Sequence, residues 1–334
     1  MSAGRPVPRN SYEYRWVASV IRSVEKLSGL PSRWNGELFE ETERFVAGRI
    51  LHDGSLTVSA DEVLKPVALA YTAGRPLDKA ELSALREAVL STVHEAKHLT
   101  HALGDQSAPG AVPVYSRDAQ ALEEGLTEHW AEENLDAVIK DLELDKVQPG
   151  LLEAETEKGY PTYTAATDEV VRGTAEGSGL AEGQVRRALE HADRTQRWAV
   201  AADLVIDGRL ATVMPPQHRD HVRTQLIQAM RVQFREIPVA RPDELPSEQS
   251  VTAARQGAEL AMAALSATTT GIENHYRDWY RRQAAVGPEV DHLRKLLDTQ
   301  APDAGAGRGG QDDGAMPATV RQMQGREARD QSRG

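Results

Sequence analysis

Apolar residues recur at helical spacing along most of the chain. Tyr12 to Leu27 and Trp34 to Ile50 carry this pattern and end near glycines, which predicts two helices. Gly54 to Ala60 instead alternates apolar and polar residues and predicts a strand, one of very few in the chain. Asp78-Lys-Ala-Glu81 has the form of a capping box. The stripe behind it, Leu82, Leu85, Val89, Val93, Ala96 and Leu103, predicts a long helix that stops at Gly104. A loop with Pro109, Gly110 and Pro113 follows, and then a helix from near Ser116 to about Leu144. Further helices are predicted at 161–175, 181–206, 217–234, 248–268 and 272–298, with a proline-rich loop over 237–250.

The ends differ from the middle. Residues 1–10 are polar with two prolines, and 301–334 are rich in Gly, Asp and Arg, so both are expected to be disordered. Between them the pattern predicts a mainly α (α+β) fold. A domain over 11–180 holds a small sheet packed on the long helix, and a helical C-terminal part covers 181–300.

Composition narrows the function. The 334 residues are 40% hydrophobic but only 5% aromatic, so the core must be built from Ala, Leu and Val. A net charge of −12 argues against nucleic acid as a partner, because such binding needs a basic surface. The absence of cysteine excludes disulfides, Cys-ligated zinc, iron–sulfur clusters and thiol catalysis. No apolar run approaches the ~18 residues of a membrane span, and the first residues lack the apolar core of a secretory signal. The expectation is a cytoplasmic protein with no membrane partner.

The chemistry concentrates in His94-Glu95-Ala96-Lys97-His98 inside the long helix. Four residues of helix turn about 400°, so His94 and His98 share a face one turn apart and can grip one metal ion. Glu95 sits about 100° round, where it can take a proton from a metal-activated water. Downstream, Glu123-Glu124-Gly125-Leu126-Thr127-Glu128 falls on another predicted helix, with Glu124 and Glu128 on one face.

The pair HExxH…EGxxE resembles the gluzincin class of zinc metallopeptidases, over roughly residues 54–135. The resemblance implies one zinc ion per chain, bound by His94, His98 and Glu124. Glu128 would support the first histidine, and Glu95 would serve as general base for hydrolysis of a peptide or protein substrate. It also implies an edge strand before the metal helix, which 54–60 would supply, and a downstream Tyr or His that donates to the oxyanion. Tyr160, Tyr163, His275, Tyr276 and Tyr280 are candidates for that donor, and Tyr163 is the choice here. Gly125 would let the two metal helices approach.

His101 shares the metal face, but on a straight helix it lies about 10 Å along the axis from His94. It is therefore read as a supporting or substrate-facing group, or as a plain surface histidine. Gly271-Ile-Glu-Asn resembles an aminopeptidase motif only out of order and is read as coincidence. His218 and His221 are read as part of a solvated basic face. Two other functions stay open: a helical interaction module stabilised by a structural metal, and a delivered effector protease.

Overall fold

The computed structural model describes residues 4–41, 47–156, 159–238 and 247–299. Its first compact unit, Met1–Tyr280, begins with α1 (Tyr12–Ser28). Ser11 caps this helix by accepting from Tyr14 N at 3.1 Å, and Gly29 ends it in the left-handed region at φ 68°. Three short strands follow, β1 (Leu38–Glu41), β2 (Gly48–Ile50) and β3 (Leu56–Ser59). They form a sheet of order β1-β3-β2, with β1 parallel and β2 antiparallel to β3.

The helix predicted from Trp34 to Ile50 is replaced by β1 and β2, with 42–46 outside the described residues. The physical reason lies in β3. Leu56, Thr57 and Val58 are all buried, and a buried strand with unpaired backbone groups on both sides would be costly. The flanking segments supply the partners. Chain position 5–7 extends the ladder further: Val7 N donates to Leu38 O and Glu40 N to Arg5 O, both at 2.8 Å. The expected disorder of 1–10 is thus corrected for residues 5–7, and Val7 is buried. The tail 301–334 lies outside the described residues.

A π-type turn at Ala60–Leu64 leads into α2 (Lys65–Thr72) and then α3 (Lys79–Leu99). The capping box is present: Glu81 N donates to Asp78 Oδ1 and Asp78 N to Glu81 Oε2, each at 2.9 Å. The helix stops at Leu99 rather than at Gly104, and Leu103 is 42% exposed instead of in the core stripe. Beyond Leu99 the backbone pairs elsewhere, with Arg194 N donating to Ala102 O (3.0 Å) and Thr195 N to Leu103 O (3.1 Å). Gly104, at φ 83°, is needed there because a Cβ would lie 2.3 Å from Thr195 Oγ1.

The remaining helices are α4 (Arg117–Asp141), α5 (Leu144–Val147), α6 (Pro161–Ser178), α7 (Glu182–His191), α8 (Arg197–Val205), α9 (Arg219–Phe234) and α10 (Glu248–Thr299). The helix predicted over 181–206 is broken at 192–196, where the backbone turns to pair with 102–103. The two helices predicted at 248–268 and 272–298 are one. The second compact unit, Arg281–Gly334, is helical as far as it is described. Among the described residues no helix is long and apolar enough to cross a membrane.

The first unit is built on two hydrophobic clusters. One unites α1, the sheet, α2, α3 and the later half of α4, from Trp130 to Ile139. The other unites the early half of α4, Ala119 to Leu126, with α6 to α10. Val170, Val185 and Leu189 all belong to this second cluster, so the boundary expected at 180 runs through a continuous core. Buried Asp118 ties α4 to α9 through Arg231 and, at 3.1 Å, Arg235. The residues between Leu126 and Trp130 mark where α4 passes from one cluster to the other, and α3 packs along α4.

Candidate metal centre

His94 and His98 project from α3 toward Glu124 on α4. The His94 and His98 Nε2 atoms lie 3.0 Å apart, and Glu124 Oε2 lies 3.1 and 3.3 Å from them. Donors held at ~2.0–2.1 Å in a tetrahedral shell sit ~3.3 Å apart, so this triangle fits a small divalent ion. Both rings are turned the right way by carboxylates behind them. His94 Nδ1 donates to Glu128 Oε2 at 2.7 Å, and His98 Nδ1 donates to Glu123 Oε1 at 2.8 Å. Hydrogen bonds at Nδ1 fix the tautomer and leave the Nε2 lone pairs for a ligand.

The electrostatics have one direction. Burial opposes charge on the imidazoles, but the Glu124 carboxylate, with Glu128 for His94 and Glu123 for His98, outweighs it. His94 is raised well above the usual range and His98 up to about 9. Burial likewise favours the neutral acid at Glu124, yet the two imidazoles hold its pKa below the ordinary value. The pocket thus attracts positive charge, which a metal ion supplies as well as protons do.

Glu95 lies beside the triangle but outside it. Gly48 of β2 passes over it so closely that a Cβ would come 2.9 Å from Glu95 Cγ. Burial raises the Glu95 pKa, while the neighbouring His94 and His98 lower it by less. The strand expected over 54–60 to be the edge strand is the central one; among the described residues β2 is the edge strand that meets α3. The HExxH lysine is inside as well. Lys97 is only 1% exposed and lies 4.8 Å from the Trp130 ring, and burial brings it down to about 8.

Gly125 faces α6 rather than α3. A Cβ there would lie 2.1 Å from Thr167 Oγ1 and 2.5 Å from Tyr163 O. The expectation that it brings the two metal helices together is corrected: it lets α6 press against α4. That approach carries the start of α6 into the site. Gly159 N donates to Glu128 Oε1 at 2.9 Å, and the Tyr160 ring lies 5.3 Å from His94. Tyr160, not the chosen Tyr163, is therefore the tyrosine against the centre. Tyr163 stacks behind it at 6.0 Å and packs on the second core. Burial, and the negative charge of Glu124, Glu95 and Glu128, keep the Tyr160 hydroxyl protonated.

His101 is buried, which excludes the surface and substrate-facing readings, and its Nδ1 donates to Glu123 Oε1 at 3.2 Å. Burial, with Arg197 adding to it, brings its pKa down to about 3, so it is neutral. Glu123 carries no site signal in the sequence, because its role depends on partners far along the chain. Its Oε2 accepts from Arg197 Nη1 and lies 3.4 Å from Arg194 Nε. His98, His101 and Glu123 also converge closely enough to share an ion. The two guanidinium groups at Glu123 make that group a hydrogen-bonding network rather than a second cation site.

His218 and His221 belong to neither metal-capable group among the described residues, and the Tyr276 hydroxyl donates to His218 Nδ1 at 2.8 Å. Glu273 of the Gly271-Ile-Glu-Asn segment is paired with Arg209 and Arg277.

No family model matches the chain, and neither curated proteins nor solved structures give a match.

Proposed function

We propose that the protein is a zinc-dependent peptidase whose ion is held by His94, His98 and Glu124. The observation that carries the reading is the triangle of two Nε2 atoms and one carboxylate oxygen, with each Nδ1 committed to a carboxylate of its own. When bound, zinc would polarise a carbonyl oxygen and bring the pKa of a water in its open position to about 7. Glu95, next to His94 on α3 and raised by burial above the ordinary carboxylate range, would take a proton from such a water and return it to a leaving amine. Tyr160 supplies a hydroxyl that stays protonated and can donate to an oxyanion. Edge strand β2, passing over Glu95, offers an extended peptide a backbone to pair with.

Access favours catalysis over a structural ion. The side chains of His94 and His98 are 5% and 10% exposed, whereas that of Glu124 is 28% exposed, so the group is least covered at Glu124. Structural zinc sites are closed by four protein ligands, whereas three ligands and an open side are the pattern of catalytic ones.

The test is Glu95→Gln. The variant should keep one zinc per chain and lose hydrolysis of casein or a peptide library by roughly 10²–10⁴-fold. Loss of the ion in this variant would make Glu95 a ligand or a folding residue and would refute the assigned role. A parent protein that holds zinc but cleaves nothing in the library would count against the peptidase reading.

A further inference from the structure

We propose that Arg197, backed by Arg194, is a positioning residue of the metal centre: it holds Glu123 by one carboxylate oxygen so that the other fixes His98 with Nε2 toward the ion. The inference rests on the metal-centre reading above and assigns a function to the α7–α8 segment.

Three observations converge. Glu123 is buried, and its two oxygens have separate duties. Oε1 accepts from His98 Nδ1 at 2.8 Å and His101 Nδ1 at 3.2 Å, while Oε2 accepts from Arg197 Nη1 with Arg194 Nε 3.4 Å away. A carboxylate engaged at one oxygen by a guanidinium loses its freedom to rotate, so the other oxygen stays aimed at the histidine. Arg197 is itself fixed, being buried with its Nε donating to Leu189 O at 3.2 Å.

The backbone carrying these arginines is attached to both metal helices. Arg194 N and Thr195 N donate to Ala102 O and Leu103 O just after α3. Val112 N, in the approach to α4, donates to Thr195 O at 2.8 Å. The arrangement parallels the other histidine, where Glu128 holds His94 and Gly159 N holds Glu128. Each imidazole therefore has a carboxylate behind it, and each carboxylate has an anchor from outside the α3–α4 pair. For His98 that anchor is 74 residues along the chain from Glu123. Arginine suits the position because its planar fork serves a carboxylate and a carbonyl at once and stays charged when buried.

The experiment compares the full-length parent with Arg197→Met, Glu123→Ala and the double variant. Zinc dissociation constants are measured by competition with a chromophoric chelator, and visible spectra are recorded with cobalt(II) in place of zinc. Because Arg197 acts through Glu123, all three variants should bind zinc about 10–100-fold more weakly than the parent, the range for lost partners of metal ligands. The double variant should bind no worse than Glu123→Ala. The cobalt bands of Arg197→Met should shift as the His98 ring loses its orientation.

A purely structural arginine would lower the melting temperature and leave zinc affinity and cobalt spectrum at parental values; that result overturns the proposal. So does an Arg197→Met effect that persists undiminished in the Glu123→Ala background. If Arg197→Met fails to fold because it strands a buried carboxylate, Arg197→Lys, which keeps the charge but loses the planar fork, decides: parental affinity and bands overturn the proposal, and weakened affinity with shifted bands supports it. A parent that binds no zinc overturns the metal centre and this proposal together. A parent that binds zinc as tightly as Arg197→Met overturns this proposal alone.

Discussion

Replacing Gly125 with alanine tests how the centre is assembled. On an ordinary helix the change should stabilise, because alanine exceeds glycine by about 1 kcal/mol in helix propensity. Here the new methyl would come 2.1 Å from Thr167 Oγ1, 2.8 Å from Thr167 Cβ and 2.5 Å from the Tyr163 carbonyl oxygen. The threonine can turn away in part, but the carbonyl is helix backbone. Restoring ordinary contact requires α4 and α6 to part by about 0.9 Å. The backbone contact places this site in the upper part of the ~1–3 kcal/mol range for overpacking, and less the ~1 kcal/mol propensity gain Gly125→Ala should lose about 1–2 kcal/mol in urea unfolding. Parting the helices also draws Gly159 and Tyr160 away from Glu128 and His94, so zinc affinity should fall as well. Adding Thr167→Ala should recover only part of the stability, because the Tyr163 carbonyl remains. A Gly125→Ala protein as stable as the parent, with unchanged zinc affinity, would refute the close packing of α4 on α6 and the route by which Tyr160 reaches the site.

Glu124→Ala removes the donor from the second helix, and zinc retained through gel filtration should drop from about one per chain to near none, read by elemental analysis. Zinc affinity should rise with pH up to at least about 9. The carboxylates overcome burial to raise His98 to about 9, so below that value the ion must displace a proton. Calorimetry in buffers of different ionisation enthalpy at pH 7 should therefore show proton release, and a pH-independent affinity would refute the charge balance described. Tyr160→Phe should lower peptide hydrolysis roughly 10²-fold with zinc retained, whereas Tyr163→Phe should leave the rate within a few-fold, measured as kcat on one peptide. A reversal of those two effects would reassign the oxyanion donor.

The parts of the fold that could be read from the chain are those set by neighbours in sequence. The capping box at Asp78, the one-turn spacing of His94 and His98, and that of Glu124 and Glu128 are local, and all three are present. β1 and β2 were misread because strands of four and three residues owe their existence to pairing with β3, which periodicity cannot register. Tyr160 could have been found: Pro161 begins α6, which leaves Tyr160 outside the helix at φ −131° and Tyr163 one turn within. Glu123 had no such signal. Beside two other acidic residues it reads as solvated, and only the arginine on a distant helix makes it an internal acceptor.

Of the residues that could hold an ion, Glu124 lies on the part of α4 that packs in one hydrophobic cluster, between Leu122 and Leu126, while His94 and His98 lie on α3, which belongs to the other. An ion shared by His94, His98 and Glu124 would therefore act as a rivet between two halves that each have an interior of their own. Thermodynamic reciprocity then runs in both directions. Whatever loosens the docking of the halves weakens the ion, and whatever holds the ion tightens the docking. Stripping the metal should thus split a single melting transition toward two, with the α9–α10 side and the sheet side reporting separately.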